Sequence, residues 1–372
     1  MELLLNNEQK LLHESAATLI ERHAGADRVR AQRESPSDID REAWAAVAEA
    51  GWLAIVAPDE AGGLGLGLTE LALIAEQAGK GLLDSPVAAV ALAARTIAEG
   101  DSETLRADLV PEIVTGGRIV IPALQETAMV PNAEPRTVTA TQDGAEFRLT
   151  GHKRFVPCAA GADGFLVNAA GANGTVLGYV PRDAVEITAT KTVDGGGWGD
   201  VSLAGARVPA ENVIAGPNRA PALAAGLIDS MLIALGAELL GVAGAALSMA
   251  VEYIKVREQF DRPIGSFQAL QHRAVNDYVD VESTRSLVFQ AAEVADAGRG
   301  TSAMASAVKA KASSAALSVA KSAIQMHGGI GFTDEHDIGL YLKRAMALSA
   351  QYGNEAAHRT RYAQLAGIES AG

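Results

Sequence analysis

The sequence predicts an α+β protein in three consecutive parts: an N-terminal α-helical domain over residues 1–116, a middle β domain over 117–221, and a C-terminal α-helical domain, a four-helix bundle, over 222–372. Three observations predict it. Apolar residues recur at helical spacing at both ends of the chain. Strand-like alternation around a turn dipeptide is confined to the middle. The last part holds long Ala- and Gly-rich stretches with one apolar face, the pattern of antiparallel bundle helices.

In the first part, "SPSDIDREAWAAVAEAGW" sets Trp44, Val47 and Ala48 at helical spacing behind an Asp-rich start, with Gly51 as its stop. The stretch "APDEAGGLGLGLTELALIAEQAG" reads as a glycine-rich loop leading into a helix rather than as a phosphate cradle. In the middle, "RTVTATQDGAEFRLTGHKRFV" alternates on both sides of Asp143-Gly144, the signature of a hairpin. "VDGGGWGDVSLAGARVPAENVIAG" continues in short strands and turns. In the last part, "LIALGAELLGVAGAALSMAVEYIKVREQF" and "AMASAVKAKASSAALSVAKSAIQMH" carry the small residues that let helices approach closely. The second stretch stops at His327 and gives way to Gly328, Gly329, Ile330 and Gly331. On spacing alone this is a helix C-cap at Gly328, with a ligand-binding turn as the alternative. No repeat recurs at a fixed period.

Composition limits the chemistry. Apolar residues make up 48% and charged residues 20%, an ordinary globular balance, and the formal net charge is −14. So acidic a chain lacks the clustered Lys and Arg that a nucleic-acid surface needs. No window of about 18 uncharged apolar residues is present, so no membrane span is expected. The N-terminus "MELLLNNEQKLLHESAATL" is acidic and amphipathic, without the basic start of a signal peptide, and the expected setting is the cytoplasm. Cys158 is the single cysteine, which excludes a disulfide framework and a thiolate metal site. The seven histidines contain no His-x-x-x-His pair, so no metal site is expected. Gly265-Ser266-Phe267 is no nucleophile elbow, and Ser266 reads as the cap of the following helix.

Two stretches carry a resemblance. "VREQFDRPIGSFQALQHRAVNDYVDVESTRSL" (Val256 to Leu287) and "KSAIQMHGGIGFTDEHDIGLYLKRA" (Lys321 to Ala345) closely resemble the acyl-CoA dehydrogenase family of flavoproteins, and the helix–β–helix order extends the likeness over the whole chain. The resemblance implies FAD-dependent α,β-dehydrogenation of an acyl-CoA thioester to a trans-2-enoyl-CoA, with electrons passing to an electron-transfer flavoprotein. It implies FAD at a subunit interface of a tetramer. By resemblance, Gln325, Gly328 and Gly329 approach the ADP half of a neighbour's FAD, with Arg257 supplying positive charge and Gln259 and Phe260 completing the contact. His327 is expected to be a packed or interface histidine.

The sequence departs from the family at the flavin half and at the base. In "ALQETAMVPNAEPRT", Glu126 aligns with the family's flavin-binding run, Gln125 replaces its hydroxyl residue, and the Gly-Ser-Asp that follows is absent. The family's Trp-Ile-Thr reads Phe155-Val156-Pro157, leaving an aromatic at Phe155 and neither hydroxyl nor N–H at Pro157. The two usual base positions hold Tyr352 and Met231, neither of which replaces a carboxylate. Asp229 and Glu355 are the nearest carboxylates, and Glu238 is expected to be a helix-packing or subunit contact. This pattern resembles the subunit of actinobacterial α2β2 acyl-CoA dehydrogenases that lacks the catalytic glutamate. Two readings follow: a working dehydrogenase, as a homotetramer or an α2β2 heterotetramer with a related chain, or a non-catalytic subunit that completes a partner's FAD site.

Overall fold

Capping chemistry sets the first helices. The computed structural model describes residues 5–35 and 37–368. Helix α1 (Asn7–His23) opens on a reciprocal capping box between Asn6 and Gln9. It is followed by α2 (Ala26–Glu34) and by α3 (Arg41–Glu49), whose first N–H groups donate to Asp40. Trp44 and Val47 face inward from α3, and the Trp44 indole N–H donates to Gly116 O at 2.9 Å. The glycine-rich loop then leads into α4 (Leu68–Lys80), whose N-cap Gly67 has no side chain to cap with but donates its N–H to Glu70 at 2.9 Å. Its Leu68 and Thr69 N–H groups donate to Asp296, far away in the chain, at 2.6 and 3.0 Å. A carboxylate there complements the helix dipole. Helices α5 (Val87–Ala98) and α6 (Val110–Val114) complete the run.

The strands follow: β1 (Val120–Ala123), β2 (Thr139–Asp143), β3 (Glu146–Thr150), β4 (His152–Pro157), β5 (Gly164–Gly171), β6 (Gly174–Pro181), β7 (Glu186–Lys191), β8 (Gly197–Ser202), β9 (Ala206–Val208) and β10 (Val213–Ala215). They form a seven-stranded sheet in the order β10-β6-β5-β2-β3-β9, with β1 parallel to β5, and a three-stranded sheet β4-β8-β7. The Asp143-Gly144 hairpin is formed as expected, with Asp143 opposite Glu146.

The rest is helical: α7 (Ala220–Val256), a short β11–β12 hairpin (Glu258–Gln259 and Arg262–Pro263), α8 (Gln268–Asp296), α9 (Ser302–His327), α10 (Ile338–Ala350) and α11 (Glu355–Leu365). Helix α7 is the axle. It is long and apolar enough to cross a membrane by length and composition, yet 89% of its apolar window is buried inside the protein. Its start meets the start of α9 where Ser302 Oγ donates to Asp229 at 2.5 Å. Its end meets the end of α9 where Tyr253 and His327 stack at 4.4 Å, so the two helices run parallel. Helix α8 returns between them. Ser266 does not cap it: its hydroxyl donates backward to Pro263 O at 2.7 Å, and the helix starts after Phe267 without a side-chain cap.

Candidate functional site

A cleft lies where the three parts meet. Its walls come from the α4–α5 connection (Asp84, Ser85), the end of β4 (Pro157, Cys158), the β7–β8 turn, α7 (Met231, Leu235) and α10. Met231 lines it, and so does Gln351, the residue before Tyr352. Of the two positions that the resemblance gives to the base, Met231 lines the cleft and Tyr352 does not. Tyr352 is 3% exposed, and its hydroxyl lies 3.5 Å from Pro122 O. Burial pushes its phenol far above the ordinary range, so it is not a base near neutrality.

The neighbouring carboxylates are engaged elsewhere. Asp229 is buried and pairs with Arg361 at 3.2 Å besides accepting from Ser302. Glu355 sits in the first turn of α11 and pairs with Arg359 at 2.6 Å. Neither lines the cleft.

Arg344 of α10 also lines the cleft. The guanidinium reaches Asp84 at 3.0 Å, Asp194 at 2.9 Å and Glu238 at 2.6 Å, and donates to Leu83 O at 3.4 Å. Glu238 is thus a packing contact, as expected, but its partner is within the chain. Burial opposes the charge on Arg344, yet the three carboxylates outweigh it and hold the guanidinium firmly protonated. One guanidinium cannot fully compensate three carboxylates. Burial accordingly raises Asp84 and Glu238 above the usual carboxylate range, with Arg344 only partly offsetting it. A cavity of about 70 Å³ remains.

The turn that carries Tyr352 is pinned from below. Lys309, fully buried on α9, donates to Ser349 O at 2.9 Å, Gly353 O at 3.0 Å and Ser313 Oγ at 3.1 Å. His358 Nε2–H donates to Tyr352 O at 3.0 Å. Burial lowers Lys309 to about 7 and His358 to about 3.

Beyond the cleft, a groove of about 480 Å³ runs along the three-stranded sheet beneath α10, lined by Phe155, Thr188, Thr190, Trp198, Asp200 and Met346 among others. Phe155 stands edge-on to Trp198 at 5.9 Å. Gln125 is buried, its amide donates to Met129 O at 3.1 Å, and its Oε1 has no partner. Glu126 accepts from the N–H groups of Arg136, Thr137 and Val138 and pairs with the fully buried Lys153 at 3.0 Å. It staples its own loop. Phe155, which lines the groove, and Cys158, which lines the cleft, hold left-handed backbone, two of the six such non-glycine residues among those described. Strain of this kind gathers at functional sites.

The second predicted cluster lies at the far end of the bundle. The Tyr253–His327 stack, extended by His336 at 4.3 Å from His327, brings the last turn of α7 against the glycine turn. Arg257 caps α7, exposed, with no ion pair among the described residues. Gln325 and Gly329 are exposed as well. Gly328, at φ 67°, is the C-cap of α9 that spacing predicted. Gly331 lies so close to Ile324 O that a Cβ would stand 2.7 Å from it. At Gly329 a Cβ would meet nothing within 4 Å, so no contact within the chain requires glycine there. Two helix C-termini meet at this end and their dipoles are negative outward, so attraction for an anion there has to come from side chains such as Arg257. Beside it, the hairpin turns on Phe260 and Asp261, both left-handed at φ 56° and 61°. Phe260 is 84% exposed.

Sequence reading missed the Arg344 cluster and the Lys309 anchor. The Arg344 partners are spread over three parts of the chain and the Lys309 partners over α9 and the α10–α11 turn, and only a buried-charge signal, a Lys or Arg inside an apolar helix face, marked them.

Comparison with known proteins gives the family. The models for the acyl-CoA dehydrogenase N-terminal domain and C-terminal domain match residues 6–117 and 223–366. Acyl-CoA dehydrogenase IpdE2 of Mycolicibacterium smegmatis is 31% identical over 92% of this chain and 93% of its own. Among solved structures, the Tcur3481-Tcur3483 steroid ACAD G363A variant is 33% identical, with a TM-score of 0.89 over 98% of this chain and 99% of the other. The ChsE4-ChsE5 complex from Mycobacterium tuberculosis is 29% identical, with a TM-score of 0.90 over 100% of both chains. With both helical parts matched and nearly the whole length aligned, the chain belongs to the acyl-CoA dehydrogenase family.

Proposed function

We propose that this chain is the cofactor-completing subunit of a heteromeric, FAD-dependent acyl-CoA dehydrogenase, whose assembly converts an acyl-CoA thioester to a trans-2-enoyl-CoA and passes electrons to an electron-transfer flavoprotein. One observation carries the reading: the two positions that the resemblance gives to the base hold Met231, on the cleft, and the buried Tyr352, and the nearest other carboxylates, Asp229 and Glu355, are ion-paired. The likeness to chains of the ChsE4-ChsE5 complex supports the heteromeric form.

The residues present fit the ADP end of FAD better than its flavin end. At the bundle end, an unpaired Arg257 and an open Gly329 offer charge and close backbone approach. Gln259, Phe260, Gln325 and Gly328 frame the same surface. In the chain's own groove, Phe155 and Trp198 offer an aromatic wall, while Pro157 lacks a donor and Gln125 has turned its amide inward. FAD supplies the hydride acceptor when bound; this chain's part is to hold its anionic half for a neighbour and to exclude water there. Helix α8 presents Val275, Tyr278 and Val279, each more than half exposed, as an apolar stripe suited to a subunit contact. We take the three parts, 1–116, 117–221 and 222–372, as its domains and the cytoplasm as its setting.

The test is to purify the chain alone and record its visible spectrum. The proposal expects a colourless or insoluble chain that turns yellow on co-expression with a relative that keeps the glutamate. A yellow homotetramer with one FAD per chain and dehydrogenase activity would favour the other reading, a self-sufficient enzyme. Arg257→Ala in the assembled oligomer should lower FAD content after gel filtration without changing the circular dichroism.

A further inference from the structure

We propose that Arg344, fixed by Asp84, Asp194 and Glu238, is a plug that keeps acyl groups out of this chain's own cleft. The inference rests on reading that cleft as the counterpart of the family's acyl site. It adds a second device to the missing base: the chain neither reacts with an acyl-CoA nor holds one there.

The geometry argues it from four sides. Arg344 arrives from α10, Asp84 from the α4–α5 connection, Asp194 from the β7–β8 turn and Glu238 from the middle of α7. All of the guanidinium's nitrogens have acceptors, so the side chain is held in place. Part of the lining keeps apolar groups suited to an acyl chain, Met231, Leu235, Ala89 and Leu348, and the rest is the charged cluster. The remaining space of about 70 Å³ is that of about two waters, whereas ligand pockets span roughly 300–1,000 Å³. An acyl chain would have to displace the guanidinium and then lie against carboxylates stripped of their partner, which is strongly unfavourable. The α4–α7 contact holds the frame rigid, because Gly241 packs so tightly that a Cβ would stand 1.9 Å from Glu76 O.

Cys158, the chain's only cysteine, lines the same cavity at 6% exposure and reports on it. The experiment compares the wild type with a charge-neutral variant, Arg344→Met with Asp84→Asn, Asp194→Asn and Glu238→Gln, which leaves no carboxylate unpaired. Native-state labelling of Cys158 by a maleimide should quicken by about tenfold or more in the variant, and octanoyl-CoA should slow it again. Equilibrium dialysis of the co-expressed wild-type tetramer should find about one octanoyl-CoA per two chains. Octanoyl-CoA bound at one per chain in the wild type overturns the proposal, and that measurement stands if the variant does not fold. A variant with native circular dichroism that labels no faster also overturns it. FAD content read on the same samples separates the two ideas: FAD retained with acyl-CoA on every chain sinks only the plug, while a self-sufficient yellow enzyme sinks the completing-subunit reading.

Discussion

Lys153 and Lys309 are both wholly buried, and they illustrate two ways of holding a cation inside a protein. Lys153 has a carboxylate partner, Glu126; burial would raise that carboxyl, but the Lys153 charge, helped by the loop's N–H groups, holds it down to about 2. Glu126→Ala would strand the ammonium. We expect a loss of about 3–5 kcal/mol in chemical denaturation, with Glu126→Gln intermediate. Lys309 has only neutral acceptors, and burial lowers it from 10.5 to about 7. Below pH 7 both folded and unfolded chains carry its proton, so the penalty of burying the charge is fully present. Between about 7 and 10.5 the unfolded chain keeps the proton and the folded chain has released it. Unfolding free energy therefore rises with pH in that window, by up to about 1.4 kcal/mol per unit. The difference between wild type and Lys309→Met, followed by urea denaturation from pH 6.5 to 9, should show that slope; a flat difference would mean Lys309 stays protonated.

At the scale of elements, contacts that the sequence marks only as glycine decide the packing. Gly79 of α4 and Gly241 of α7 each abut the other helix's backbone, with a Cβ 1.9 Å from Glu238 O and Glu76 O respectively. Gly241→Ala should destabilise the chain by about 3 kcal/mol in thermal or urea unfolding, whereas the open Gly244 should accept Ala with little change. The β11–β12 hairpin shows the opposite economy. Phe260-Asp261 occupies left-handed positions that Asn-Gly would fill without strain. Replacing the pair by Asn-Gly should raise the midpoint of the isolated chain slightly and lower FAD content in the assembly. Unchanged FAD content would reduce Phe260 to a turn residue. The hairpin in the β part, the helical ends and the C-cap at Gly328 were legible because each is written in neighbouring residues. Helix α4's cap was not, because Asp296 lies more than 200 positions away, and Ser266 was misread because a serine before a helix can also turn back on its own loop.

Over the whole molecule, the order of helical, β and helical parts was legible, but not which side chains meet between them. Tyr352 and Met231 were legible as departures from a family pattern. Arg344, eight residues before Tyr352, was not, because its partners Asp84, Asp194 and Glu238 come from all three parts. The apolar stripe on α8 is likewise a property of the folded surface. Tyr278→Lys with Val279→Lys should shift the chain to smaller species in sedimentation velocity while leaving its circular dichroism intact; an unchanged distribution would mean this stripe is not the subunit contact. The partnership of α4 and α7 also bears on how the chain is made. Nearly every side chain of α4 is buried, and the helix that covers it begins some 140 residues later, at Ala220. At roughly 5–20 residues per second, a ribosome leaves that apolar helix waiting on the order of ten seconds for its mate. The nascent chain is therefore exposed to aggregation until α7 emerges, and its yield in a cell depends on chaperone supply during synthesis as much as on the stability of the finished fold.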